Sequence, residues 1–334
     1  MLGKILVPLD GSALADAVLP HIIALTRING TVVTLLHVLE TNHATLPHTD
    51  PVEWTLRKAE AQSYLKETNQ QLQHLSIATE HRVLEGRAAD HIVDYAQKHD
   101  FDLVALSSHG QGGLSGWNLS SVTQKVIHRL RKSVLIVPAH RSVGHRAPEG
   151  ALDAARYRRI LVPLDGSARA ECVLPLATAV ARQQGAELIL AHVVTPPEMI
   201  QRMPLSEEDY SLRDQVVERN RTEANRYLDQ LSSRLTPTPQ LCLLESDNVA
   251  HALLQVAEEE SIDLVVLAAH GHSGQNGSPY GRLSATLIDY CSVPLYIHQD
   301  LNVDEIEPLY AERMLRYWEP PHEQRINAYE YIVK

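Results

Sequence analysis

The sequence KILVPLDG occupies residues 4–11, and RILVPLDG occupies residues 159–166. A short apolar run that ends in Pro and then Asp-Gly is typical of a buried strand leading into a tight turn. The two runs are offset by 155 residues, whereas Ser-His-Gly at 108–110 and Ala-His-Gly at 269–271 are offset by 161. The chain therefore contains a duplicated unit. The six additional residues of the second copy are expected between its second and fourth strands.

Each copy alternates short apolar runs with longer amphipathic stretches, which predicts a parallel sheet covered by helices on both faces. We predict two α/β domains of the doubly wound, flavodoxin- or Rossmann-like type, at residues 1–140 and 158–299. The polar run 141–157 is the predicted linker, and the aromatic-rich tail 300–334 has no counterpart in the first copy. Predicted helices include residues 13–26, 170–183 and 214–235.

The overall composition limits the classes of partner. The net charge of -11 disfavours a nucleic acid, because phosphate backbones are bound by excess Lys and Arg. No apolar run approaches the ~20 residues that a membrane span requires, and the first residues carry no signal-peptide pattern, so a cytoplasmic location is expected. Three separated cysteines and eighteen scattered histidines show no zinc-binding spacing, so no metal centre is expected.

Ligands of open parallel sheets bind beyond the carboxyl ends of the strands, where the strand order reverses. The loops after the first and fourth strands are therefore the candidate sites. In the first loop, Asp10 and Ser12 either cap the following helix or contact a ligand, and the sequence leaves both roles open. The second loop, at 107–114, is rich in glycine, which lets backbone N–H groups approach an anion. A helix predicted from Ser121 places its positive end beside that loop.

These motifs resemble the universal stress protein family over residues 3–139 and again over 158–298. The family pattern has a strand running into Pro-x-Asp-x-Ser, a later strand ending in Gly-x-His-Gly, and then Gly-Ser or Gly-Thr at the start of a helix. The corresponding stretches here are ILVPLDGS, ALSSHGQGGLSGWNLSS and the closing strand SVLIVP. The resemblance implies a five-stranded sheet of order 3-2-1-4-5 in each copy and ATP binding in one branch of the family. It also implies pairing of two units through their fifth strands, here within one chain.

In the first copy, the resemblance assigns adenine contacts to Asp10 and to the Val38 backbone. It places ribose and phosphate near residues 107–110 and the start of the next helix. Ser107 and Ser120 stand where the family has glycine. The candidate residues of this copy are Pro8, Leu9, Asp10, Val38, Gly86, Ser107, His109, Gly110, Gly113, Ser120, Ser121 and Val122.

The second copy departs further from the family pattern. Ala268 replaces the first glycine, and Arg282 replaces the hydroxyl residue, where it either grips a phosphate or fills the pocket. Asp247 is interpreted as the counterpart of Gly86, and a carboxylate facing the site would repel a triphosphate. The candidate residues of this copy are Pro163, Leu164, Asp165, Val193, His270, Gly271, Gly281, Arg282 and Leu283.

The first functional hypothesis is a cytoplasmic stress-response protein that binds ATP, or AMP or ADP, in at least one copy, with Mg²⁺ accompanying ATP. We expect a sensor rather than an enzyme, because no Walker lysine is present and neither His109 nor His270 has an evident nucleophile or carboxylate partner. The alternative is a scaffold without nucleotide, acting through its pseudo-dimer surface and tail on an unidentified protein partner or as a homodimer. A weak ATPase is the third hypothesis.

Overall fold

A computed structural model gives the structure of the chain and describes residues 2–27, 30–40, 50–111, 119–139, 152–197, 206–272 and 279–301. The elements of the first copy are β1 (Lys4–Pro8), a 3₁₀ turn (Ala15–Val18), α1 (Leu19–Thr26), β2 (Val32–Glu40), α2 (Pro51–His74), β3 (Ala78–Gly86), α3 (Ala88–Lys98), β4 (Leu103–Ser107), α4 (Ser121–Arg129) and β5 (Ser133–Val137). Those of the second are β6 (Arg159–Pro163), α5 (Ala168–Glu171), α6 (Leu174–Gln184), β7 (Glu187–Val194), α7 (Glu207–Ser232), β8 (Gln240–Glu245), α8 (Val249–Glu259), β9 (Leu264–Ala268), α9 (Arg282–Tyr290) and β10 (Leu295–His298).

The ten strands form one sheet in the order β3-β2-β1-β4-β5-β10-β9-β6-β7-β8. Neighbouring strands within each copy run parallel, so the predicted α/β class is confirmed. Each half has the order third, second, first, fourth, fifth. Because β1 lies between β2 and β4, the strand order reverses there, and a crevice opens beyond the carboxyl ends of β1 and β4. The same reversal occurs at β6 in the second copy.

The two copies are joined through their fifth strands. β5 and β10 pair antiparallel, with Tyr296 beside Leu135 and Ile297 beside Val134. The hydroxyl of Tyr280 donates to the Lys132 carbonyl across the same junction at 2.7 Å. The intramolecular pairing that the resemblance implied is therefore present in the structure.

The residues that lead into β6 form a second connection between the copies. The Ala155 N–H donates to the Pro20 carbonyl at 2.8 Å. The hydroxyl of Tyr157 lies 2.7 Å from Nδ1 of His21, and Tyr157 is buried. Burial lowers the pKa of His21 to about 4, so its imidazole is neutral at pH 7.

Two apolar layers cover the two faces of the sheet, and each layer extends through both copies. Successive residues of a strand point to opposite faces. Ile5, Val7 and Val162 accordingly belong to one buried cluster, and Leu6 and Leu161 belong to the other. Strands buried on both faces explain why the strand sequences are continuous apolar runs rather than alternating ones.

Three predicted helices differ from the observed ones. Residues 13–26 and 170–183 each divide into a short first turn and a longer helix, because Pro20 and Pro175 lie in the first turn of α1 and α6. Proline has no N–H to continue a preceding helix, but it fits a first turn well. The helix predicted at 214–235 begins at Glu207 instead. Ser206 and Asp209 form a capping box that fixes this earlier start.

The additional residues of the second copy lie in two places. Val38 pairs with Leu84, and Val193 pairs with Leu244, so the second strands are offset by 155 residues and the third strands by 160. The loops after the fourth strands are offset by 161. Five of the six additional residues therefore lie between the second and third strands, and one lies after the third strand.

Candidate functional site

A cleft of about 490 Å³ opens in the first copy beyond the carboxyl ends of β1, β2 and β4. This volume is within the usual range for small-molecule sites. Ten of the twelve residues predicted for this copy line the cleft: Pro8, Leu9, Asp10, Val38, Ser107, His109, Gly110, Ser120, Ser121 and Val122. The topology thus brings together residues that are more than 100 positions apart in sequence.

The other two predicted residues are placed differently. Gly86 does not line this cleft and ends β3 with a φ of 142°, where a Cβ would lie 2.2 Å from Nε2 of His91. Its glycine is therefore explained by backbone conformation and by the approach of His91. Gly113 lies outside the described residues.

Asp10 ties the two loops of the cleft together. Its Oδ1 accepts the Ser12 N–H at 3.0 Å and the Ser12 hydroxyl at 2.6 Å. Its Oδ2 accepts the Gln111 N–H at 2.5 Å, across the cleft from the loop after β4. Ser12 in turn accepts the Ala15 N–H at 3.1 Å. Asp10 therefore both lines the cleft and stabilises its loops, so the two roles left open by the sequence are combined in one residue.

The serines that replace family glycines have structural partners. Ser107 donates its hydroxyl to the Leu14 carbonyl at 2.6 Å, which fastens β4 to the loop after β1. Ser120 caps α4 by accepting the Thr123 N–H at 3.2 Å. The first-turn N–H groups of Ser121 and Val122 have no intrahelical acceptor, as in any helix, and both residues line the cleft. This end of the cleft can therefore receive an anion.

The lining residues that the sequence did not predict include His37, Glu40, Trp54 and Arg57. His37 and Glu40 belong to β2, on either side of the predicted Val38. Trp54 and Arg57 belong to the first turns of α2, which the sequence presents as an ordinary polar helix. The helix is positioned by Asp50, whose carboxylate accepts the Val52 N–H at 2.9 Å.

The second copy reproduces the loop contacts of the first. Asp165 Oδ1 accepts the Ser167 N–H and hydroxyl at 3.0 and 2.6 Å, and Oδ2 accepts the His272 N–H at 2.6 Å. Burial raises the pKa of Asp165, but these hydrogen bonds outweigh it and leave the pKa below its ordinary value. A Cβ on Gly271 would lie 2.0 Å from Asp165 Oδ2, so glycine is required by close approach.

The equivalent histidines have different partners in the two copies. Nδ1 of His109 lies 3.0 Å from the Ser108 hydroxyl, which also accepts the Ala139 N–H. In the second copy, Asp300 accepts both the N–H and Nδ1–H of His270, at 2.9 and 3.0 Å. His109 thus bonds to the adjacent residue of its own loop, whereas His270 bonds to Asp300, which follows β10. His270 and Asp300 form a buried carboxylate–imidazole pair, so the expectation that His270 has no carboxylate partner is wrong.

Asp300 is nearly fully buried, with 3% of its side chain exposed, and it has a second partner in Arg169 at 3.2 Å. Burial raises the pKa of Asp300, but its hydrogen bonds with His270 and the charge interaction with that ring outweigh burial and lower the pKa below its ordinary value. The carboxylate of Asp300 therefore holds the loop after β9 through its hydrogen bonds with His270.

The remaining predicted residues of the second copy surround the equivalent loops. Pro163 ends β6 and Leu164 follows it, Val193 lies in β7, and Gly281 precedes α9, which begins with Arg282 and Leu283. Leu283 packs against the core, whereas Arg282 is exposed.

The interpretation of Asp247 as the counterpart of Gly86 is wrong. Glu245 is the residue that pairs with Val194, and Glu85 pairs with Leu39, so the strand register makes Ser246 the counterpart of Gly86. Asp247 is the one inserted residue before α8, and it is exposed.

Within the described ranges, no group of three or more His, Cys, Asp or Glu side chains is arranged to hold a metal ion. The helices of the same ranges are all too short or too polar to cross a membrane.

The comparison with family models agrees with the duplicated fold. The model described as the universal stress protein family matches twice, at residues 1–138 and 156–298. The chain belongs to the universal stress protein family. The match covers both copies, so this is a tandem universal stress protein, and the family resemblance seen in the sequence is confirmed.

Curated relatives carry the same family name. Universal stress protein Rv2005c of Mycobacterium tuberculosis is 25% identical over 199 residues, a match that covers 60% of this chain and 62% of the relative. The aligned part thus spans about three fifths of that relative's length. Universal stress protein Sll1388 of Synechocystis is 33% identical over 149 residues, which cover 40% of this chain and 97% of the relative.

Two solved structures share the whole tandem fold. A putative universal stress protein of Pseudomonas aeruginosa has a TM-score of 0.62 at 14% identity and covers 90% of this chain and 94% of its own. A universal stress protein of Archaeoglobus fulgidus has a TM-score of 0.57 at 19% identity, with coverage of 89% and 98%. At these identities the two structures establish the fold.

Proposed function

We propose that this tandem universal stress protein binds an adenine nucleotide in the cleft of its first copy and acts as a sensor or regulator. The observation that carries the proposal is the convergence of the ends of β1, β2 and β4 with the start of α4 on one cleft. The strands β1 and β2 offer Asp10 and the Val38 backbone to the cleft. The segment after β4 and the start of α4 offer Gly110, Ser120 and the first N–H groups of the helix.

The chemistry of the lining fits the parts of a nucleotide. A base requires an apolar slot with polar atoms at its edge, which Leu36, Val38 and Ile92 together with Asp10 provide. Phosphates are favoured at a helix N-terminus, where backbone N–H groups and the helix dipole both attract negative charge. ATP, ADP and AMP share these features. Mg²⁺ would enter with the phosphates of ATP, since the described lining offers only the carboxylates of Asp10 and Glu40.

The first experiment is to purify the protein, denature it, and identify any released nucleotide by chromatography and mass spectrometry. ATP, ADP and AMP are then titrated into the stripped protein by calorimetry. The matched variants are Asp10→Ala and Asp165→Ala, which remove the same loop contact from each copy. We expect binding to be lost in Asp10→Ala and retained in Asp165→Ala. Absence of both co-purified nucleotide and binding at millimolar ATP would refute the proposal.

One observation favours the alternative of a scaffold without nucleotide. The Asp10 contacts recur at Asp165 with nearly the same distances, so the motif has a structural purpose in both copies whether or not a ligand binds. A scaffold would show no nucleotide and would respond to both aspartate substitutions through stability alone. A weak ATPase, the third hypothesis, would release phosphate from ATP in the stripped, purified protein.

A further inference from the structure

The first turns of α2 add an aromatic ring and a guanidinium to the wall of the cleft. Trp54 and Arg57 both line it, and the Arg57 guanidinium carbon lies 5.8 Å from the centre of the Trp54 ring. Trp54 is half-buried and Arg57 is exposed. Arg57 is also the one Lys or Arg side chain among the described residues that line the cleft.

These two residues belong to the end of the cleft near Asp10 and His37. Burial lowers the pKa of His37, the charge of Asp10 opposes this shift, and the charge of Arg57 adds to it. Arg57 therefore lies close enough to His37 to act on its charge. The family resemblance assigns the adenine ring to the same end, at Asp10 and Val38.

Two pairs of equivalent contacts give the correspondence between α2 and α7. Lys58 bonds Glu85 at 2.8 Å, and Arg221 bonds Glu245 at 2.8 Å. Since Glu85 and Glu245 occupy the same position in β3 and β8, Lys58 and Arg221 correspond, at an offset of 163 residues.

The tyrosines of the two helices give the same offset. The Tyr64 hydroxyl donates to Asp16. In the second copy burial, and then the charge of Glu171, raise the pKa of Tyr227 above its usual value, which places Tyr227 beside Glu171. Asp16 and Glu171 are related by the offset of the first strands. Tyr64 and Tyr227 are 163 residues apart, so the two tyrosines agree with the register that the ion pairs give.

This register places Val217 at the position of Trp54 and Asn220 at that of Arg57. Val217 is 8% exposed and packs with Val194 and Ala224 in a small apolar cluster. Asn220 is exposed and uncharged. At these two positions the second copy therefore has neither a ring nor a cation, and a core contact occupies the position of the ring. The ring and guanidinium that α7 does pair, Tyr210 and Arg213, lie seven residues earlier in the helix.

We propose that Trp54 and Arg57 form a stacking wall that covers the base of a nucleotide, and that this wall makes the first copy the base-selective site of the tandem pair. A tryptophan ring and a guanidinium plane both stack on a heteroaromatic base. A sugar phosphate without a base has no aromatic face and cannot make this contact. This inference rests on the proposed nucleotide function and specifies the part of the ligand that is recognised.

The test compares adenosine, ATP and ribose 5-phosphate as ligands of the full chain, by calorimetry. Trp54→Ala is expected to lower the affinities for adenosine and for ATP by about the same factor. That factor should be roughly tenfold, which is the usual effect of losing one base-stacking contact. The affinities of Trp54→Phe, which keeps an aromatic ring, should lie between those of the wild type and those of Trp54→Ala. Val217→Ala, the matched change in the second copy, should leave both affinities unchanged.

The outcomes separate the two proposals. If the wild type binds ATP and Trp54→Ala binds it with the same affinity, the proposed stacking wall is overturned, whereas the proposed nucleotide site stands. Binding of ribose 5-phosphate as tightly as adenosine also overturns the wall. If the wild type binds none of the three ligands, both proposals are overturned. If Trp54→Ala folds poorly, the comparison of affinities is made between the wild type and Trp54→Phe. Thermal unfolding of Trp54→Phe at the wild-type temperature shows that this variant is folded.

Discussion

Gly110→Ala and Gly271→Ala make the same change at the same place in the two copies. A Cβ on Gly110 would lie 2.1 Å from Oδ2 of Asp10, and a Cβ on Gly271 would lie 2.0 Å from Oδ2 of Asp165. Neither separation is attainable, so in each variant the carboxylate or the loop must move. The same carboxylate oxygen accepts the next backbone N–H of the loop, at 2.5 and 2.6 Å respectively, and that hydrogen bond is displaced.

The magnitude follows from the contacts that are lost. A hydrogen bond to a charged group contributes about 1.5–3 kcal/mol, and accommodating an extra methyl group in a packed place costs about 1–3 kcal/mol. Because the loops partly relax, we expect the free energy of unfolding to fall by about 2–4 kcal/mol in each variant. The two stability losses should be similar, since the two sites have the same geometry.

Binding distinguishes the two variants where stability does not. Urea unfolding followed by circular dichroism measures the first effect, and calorimetric titration with ATP measures the second. We expect Gly110→Ala to lose at least about tenfold in ATP affinity, equivalent to roughly 1.4 kcal/mol, because the displaced loop lines the cleft. Gly271→Ala should bind ATP as the wild type does. Equal losses of affinity in both variants, or none in either, would refute this reasoning.

Three further predictions concern contacts away from the cleft. Asp300→Ala leaves His270 without its buried carboxylate partner, so the free energy of unfolding should fall by about 3 kcal/mol in urea unfolding at pH 7. A loss below about 1 kcal/mol would contradict the assigned pair. Because the folded pKa of Asp300 lies below its ordinary value, its stabilisation is present above pH ~4 and is lost as the pH falls through the folded pKa. The stability difference between wild type and Asp300→Ala should therefore shrink as the pH falls below about 4, and a difference that grows over that acidic range would show the wrong sign. Tyr157→Phe removes the hydrogen bond to His21 between the copies and should cost about 1 kcal/mol in the same assay, whereas an unchanged midpoint would show that this contact contributes nothing.

Much of the fold could be predicted because strands are coded locally. The strands β1, β4 and β10 fall on the short apolar runs from which the sequence predicts a parallel sheet. The repeat then supplied the second copy of each element. The helix starts were less predictable, because they depend on Pro20, Pro175 and the Ser206 capping box, which compete with the apolar periodicity.

The cleft could be predicted only where its residues belong to motifs. Ten candidate residues line it because loops after parallel strands converge by topology. The position of Trp54 and Arg57 at the cleft could not be predicted, because α2 reads as an ordinary polar helix in the sequence. Its placement over the sheet depends on the packing of buried residues such as Leu65. The pair of His270 and Asp300 is likewise a contact between two separate loops, and no local pattern encodes it.

The equivalence of Asp247 with Gly86 failed for a related reason. A constant offset cannot locate a single inserted residue, whereas hydrogen-bond register can. The pairing of Val194 with Glu245 places the insertion after β8. The charge at Asp247 therefore carries no argument against nucleotide binding in the second copy.

The central claim is that one tandem chain binds one nucleotide, in its first copy. Hydrogen–deuterium exchange with mass spectrometry, with and without saturating ATP, tests it most directly. We predict slower exchange in peptides that cover residues 105–111 and 120–124, and no change in those that cover 266–272 and 281–285. Equal protection of both sets, protection of the second set alone, or no protection anywhere would contradict the account.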